Sequence, residues 1–254
     1  MPLRRVTLND LAIVDHATMD GVDVYPALTQ RLVDDAYPFL VAAPQGGTED
    51  WARVLFLNLT YWGGEGDVLC DDAIAADVVA HVGWHHAIAQ TLHPTGPPTV
   101  SALAFGEAVA SAFDIYLIGH LLKQSLHTEL LATAVPRIRD VALDSGLDED
   151  AVDNLLIDIA ADPEAAFESL RALLFDVTRA LVDCTTVEQG ADVLDAVREH
   201  RFACLLHHFE VSNWVLHMQA RGRRQPDSAT QALDEAMRAS SSPLMHLSRV
   251  CALL

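Results

Sequence analysis

Residues 100–122 read VSALAFGEAVASAFDIYLIGHLL, and the strongly polar side chains among them are Ser101, Glu107, Ser111, Asp114 and His120 alone. A stretch so long and so apolar has two physical homes. One is a bilayer, whose hydrocarbon core takes about 20 such residues as a helix. The other is the middle of a helical bundle, where a helix apolar on every side is covered by its neighbours. Glu107 and Asp114 decide between them, because a carboxylate at the centre of a span costs roughly 2.5–3.5 kcal/mol. The segment is therefore expected to be the core helix of a soluble all-α protein, with no membrane partner.

Helical signals continue on both sides. Upstream, His93-Pro-Thr-Gly-Pro-Pro is a linker that no helix crosses, and before it a helix is expected from Asp71 or Asp72 to about Leu92. Ser101 is the expected cap of the long apolar helix. Downstream, helices are expected over 128–145, 148–161, 163–182, 187–219 (with room for a break) and 228–239. Asp162-Pro163-Glu164 has the Asp cap and first-turn Pro of a helix entry. Nearer the start, a helix from Thr7 or Asn9 past His16 and another over 27–42, interrupted by Pro38, are expected. Pro44-Gln-Gly-Gly and Gly63-Gly-Glu-Gly bracket a further one from Trp51 to Trp62. Strand alternation is hard to find. The fold expected is a compact all-α bundle of seven to ten helices, one domain over 1–254 with a crossover at 93–100.

Thirty-six acidic against 16 basic residues give a formal charge of −20. Such a surface repels phosphate backbones, so no nucleic-acid partner is expected. The four cysteines, Cys70, Cys184, Cys204 and Cys251, form no Cys-x-x-Cys pair. Neither a disulfide framework nor a thiolate zinc site follows. Met1 to Asp10 carries two arginines with no apolar run behind them, and a cytoplasmic protein is expected.

Chemistry is carried by histidines and carboxylates set into greasy helices. Asp77, His81 and His85 are spaced four apart and share one helix face; two imidazoles at that spacing can bind one ion. Glu107 and Asp114, seven apart, share a face of the long helix. Carboxylates buried there need a cation, a donor network or a raised pKa, and Arg171 or Arg179 could serve in place of a metal. On an expected helix over 201–220, His207, Glu210 and His217 form one continuous face, and His207-x-x-Glu210 reverses the Glu-x-x-His pair of di-iron bundles. Each stripe also fits a solvated face.

Ferritin-like, hemerythrin-like and haem-oxygenase-like di-iron proteins direct His and carboxylates inward from apolar helices, and this chain is similar to them in that logic. It lacks their paired Glu-x-x-His motifs and their histidine order, so no residue role is carried over. The expected function is a non-haem iron oxidase or oxygenase, with one or two irons, acting on a small apolar substrate. Its metal ligands would be Asp77, His81, His85, Glu107, Asp114, His207, Glu210 and His217. A mixed nitrogen and oxygen donor set without thiolate suits iron, with manganese or zinc as alternatives. The competing expectation is a non-catalytic acidic scaffold, a homodimer whose polar stripes face water. Haem ligation by one histidine is a third.

Overall fold

The computed structural model describes residues 3–42, 67–69 and 71–254. The all-α class holds: eleven α-helices lie among these residues, with a few short strands. The expected helix over 51–62 and the glycine-containing breaks on either side of it lie outside the described residues. The chain divides into two units, 1–83 and 84–254, and the division falls inside one helix.

The first unit carries the strands that the sequence reading did not anticipate. β1 (Leu3–Val6) pairs antiparallel with β3 (Phe39–Ala42), and β3 pairs parallel with β4 (Asp67–Leu69). β2 (Ala12–Val14) runs parallel to β5 (Ala73–Ala75). Each strand is three or four residues long, too short for alternation to declare itself. The expected helix through His16 is instead a 3-10 turn at Leu8–Asp10, β2, and the single-turn α1 (His16–Met19). The one over 27–42 is α2 (Tyr25–Asp34), ended before Pro38 by Ala36 at a positive φ of 46°, after which β3 begins. Proline disfavours helical geometry in the residue before it, so the interruption becomes a change of element.

α3 (Ala76–Leu92) follows β5 directly. Within the first unit α2 lies hard against α3 at Gly83, two turns in, where an added Cβ would meet Leu28 Cβ at 2.9 Å. Glycine is what permits that approach.

The second unit is built around α4 (Val100–Lys123), where 83% of the most apolar window is buried within the protein. No other helix among the described residues is long and apolar enough to cross a membrane. Its cap is Thr99, whose hydroxyl accepts from the Ala102 amide, two residues earlier than the expected Ser101. α4 packs most extensively along α7 (Pro163–Val182), and it also meets α5 (Glu129–Asp144), α6 (Glu149–Ala161), α9 (Val211–Arg221) and α10 (Ser228–Ala239). Phe105 meets Phe175 edge-on across the α4–α7 seam, with ring centroids 5.6 Å apart. At Gly119 the Ile159 carbonyl of α6 comes so close that an added Cβ would lie 2.5 Å from it. α5, α6, α7 and α10 begin within one residue of their expected starts, each on a Thr or Asp cap that accepts an amide hydrogen bond. α8 (Val187–Ala196) and α11 (Pro243–Val250) complete the unit.

The expected helix over 201–220 is not there. Residues 201–210 form turns and a 3-10 segment, Glu210 adopts the left-handed conformation at φ 50°, and α9 starts only at Val211. The reason is geometric. Phe202, Leu205, Leu206 and Phe209 are buried, as are Val211 and Met218. On one straight helix these two sets would face roughly opposite sides, and the break turns both inward.

Candidate metal centre

α3 carries its histidines in an apolar setting: Val79, Ala80, Val82, Trp84, Ala87 and Ile88 are all buried. His81 and His85 are four residues apart on this unbroken helix, so one helical turn stacks their imidazoles. α4 supplies Glu107, 8% exposed and set among Ala104, Phe105, Ala108 and Val109, which have no exposed surface. His85 Nε2 lies 3.6 Å from Glu107 Oε2, with both side chains nearly covered. One ligand atom each from His81, His85 and Glu107 falls within 4.8 Å of the others.

Those distances bear on what the trio can do. At 3.6 Å the His85–Glu107 pair is beyond hydrogen-bonding range. Two donors sharing one ion at metal–ligand bonds of about 2.1 Å sit roughly 3.0–3.4 Å apart. The observed separation is therefore close to what a common ion requires. The donor chemistry fits too, since two imidazoles and one carboxylate on adjacent helices form the set that leaves further coordination positions open.

The remaining sequence candidates fall outside that group. Among the described residues, the group that could hold an ion contains none of Asp77, Asp114, His207, Glu210 and His217. Asp77 is half-buried one turn before His81, and its charge acts on Tyr25. That phenol is pushed up to about 12, chiefly by burial, while its oxygen lies 2.8 Å from His16 Nδ1. Asp114 is half-buried on α4, within electrostatic reach of His208. His207 and Glu210 are exposed in the turn before α9, with Glu210 Oε2 accepting from Asn213 Nδ2 at 2.8 Å. His217 is buried on α9, and burial together with Arg221 holds its imidazole below the usual range. The arginines proposed as partners for Glu107 have other company. Arg171, fully buried, makes a two-point contact with Glu168 and meets Asp234 at 2.8 Å. Arg179 lies over the Phe175 ring.

Two groups escaped the sequence reading. Asp67, 4% exposed at the start of β4, accepts a 2.9 Å hydrogen bond from the Tyr37 hydroxyl. Burial raises its carboxyl to about 6, opposed by Tyr37 and by the charge of His81. An aspartate after a glycine-rich run carries no periodic signal, so only the fold reveals it. The other is His208, half-buried in the turn before α9; burial, and then Arg137, lower its pKa while Asp114 and Glu210 act to raise it.

Comparison with protein-family models, curated proteins and solved structures finds no match for this chain. What the trio does must be argued from its own chemistry.

Proposed function

We propose that this protein is a metal-dependent oxidoreductase in which His81, His85 and Glu107 hold a single non-haem iron and a small apolar substrate reacts beside it. The observation that carries the reading is the convergence of two imidazoles and a carboxylate, within 4.8 Å of one another, at a largely buried point. Iron is favoured by the donor set: two histidines and one carboxylate, with no thiolate, are the donor types that non-haem iron oxygenases use. Such an ion supplies redox chemistry at its open positions. The protein contributes a fixed ligand geometry and, from the apolar flanks of α3 and α4, a setting poor in water. The single trio supports one ion in place of the two that a di-iron reading needs.

The test is metal content after anaerobic addition of iron(II), with manganese(II) and zinc(II) as competitors. About one iron per chain is expected, with a clear rise in melting temperature. His81→Ala and Glu107→Ala should each abolish both effects, whereas Asp114→Ala and His207→Ala should retain them. A protein that takes up none of the three ions and melts unchanged with or without chelator would leave the acidic scaffold as the better description.

A further inference from the structure

A buried indole normally gives its N–H to an acceptor. Trp84 does not: it has no exposed surface, and its Nε1 has no hydrogen-bond partner among the described residues. Packing supplies no reason for that arrangement, since phenylalanine or leucine would fill an apolar site without stranding a donor. The position of Trp84 does supply one. It precedes His85 by one peptide bond on α3 and follows His81 by three residues, a spacing that makes side chains neighbours on a helix surface. Its ring meets Phe113 of α4 edge-on, with centroids 5.6 Å apart. Phe113, Tyr116 and His120 then recur at i, i+3 and i+7 along α4, so their rings form a file on one face. Phe113 stacks on Tyr116 at 5.2 Å and 19°, and Tyr116 on His120 at 6.0 Å and 30°. The file begins at a fully buried indole and ends at half-buried Tyr116 and His120, one turn from exposed Gln124.

We propose that Trp84, Phe113 and Tyr116 form a one-electron path between the metal centre and the protein surface. The inference rests on the reading of His81, His85 and Glu107 as iron ligands. Tryptophan and tyrosine are among the side chains most readily oxidised by one electron, and Phe113 bridges them by ring contact without itself being oxidised. An indole whose N–H faces no acceptor keeps its proton when it loses an electron. The cation so formed is a stronger oxidant than the neutral radical, and it draws an electron from Tyr116 across Phe113. Tyr116, at the wet end of the file, releases its phenolic proton to water in the same step. With hydrogen peroxide as the oxidant and no substrate present, one peroxide takes one electron from iron(II) and one from Tyr116. Together with the phenolic proton and one proton from solvent it becomes two waters, leaving iron(III) and a Tyr116 phenoxyl radical. A soluble one-electron donor such as ascorbate then returns an electron, and solvent a proton, to Tyr116.

The experiment mixes iron(II)-loaded protein with hydrogen peroxide, without substrate, and reads the freeze-quenched sample by electron paramagnetic resonance. A tyrosyl radical is expected in the wild type, and ascorbate should remove it. Tyr116→Phe should lose that signal and show a tryptophan radical in its place, while Tyr25→Phe and Tyr37→Phe keep it. Trp84→Phe should lose most of it, with iron content unchanged. If Trp84→Phe does not fold, Tyr116→Phe, at a half-buried position, carries the test. Iron(III) formed without any radical in the wild type, or a tyrosyl radical undiminished in folded Tyr116→Phe or Trp84→Phe, overturns the proposal and leaves the metal centre standing. A wild-type protein that binds no iron overturns both.

Discussion

Asp67 is held away from water with a carboxyl raised from an ordinary 3.8 to about 6. The consequence for stability has a definite sign. Between those two values the folded chain binds more protons than the unfolded one, so stability falls as pH rises through that window. Below pH 4 the penalty is absent. Above pH 6 it is complete, and for the metal-free protein it amounts to roughly 2–3 kcal/mol. Asp67→Asn removes the titrating group and keeps an acceptor for Tyr37. Its melting temperature is therefore expected to exceed wild type at pH 7.5 and to converge with it near pH 4, as differential scanning calorimetry with chelator present would show. A variant no more stable than wild type at pH 7.5 would mean that the carboxylate is compensated by groups other than Tyr37 and His81.

At the scale of elements, the starts of α5, α6, α7 and α10 were the most legible part of the chain. Asp162-Pro163 and Asp227-Ser228 announce α7 and α10, because a side chain accepting the first free amides is a local event written in local sequence. The stretch before α9 was illegible for the opposite reason. Residues 201–220 contain neither proline nor glycine, and what breaks them is the need to bury two apolar sets that a continuous helix would direct apart. That information lies in the neighbours. Glu210 carries the strain of the break, since a side chain in the left-handed region costs on the order of 1 kcal/mol. Glu210→Gly should relieve it, offset in part by the lost Asn213 contact and by glycine's greater freedom when unfolded. A net stabilisation of about 0.5 kcal/mol is expected from denaturant unfolding, with metal content unchanged because Glu210 stands outside the trio. A drop in bound metal in this variant would return Glu210 to the ligand set.

For the molecule as a whole, helical spacing placed His81 and His85 on one face, and the polarity of Glu107 within an apolar helix marked it as needing a partner. Spacing within helices cannot say which helices meet. The structure brings α3 to α4 at His85 and Glu107, while the stripe assigned to 201–220 dissolves with its helix. Charge acts at this scale too. A formal −20 draws divalent cations toward the protein over the Debye length, roughly 30 Å at 0.01 M salt and 8 Å at 0.15 M. Manganese(II) affinity should thus fall several-fold between those salt concentrations as the surface contribution is screened, as a titration at each salt concentration would show, and an affinity that does not change with salt would mean that the surface charge plays no part in drawing the ion in.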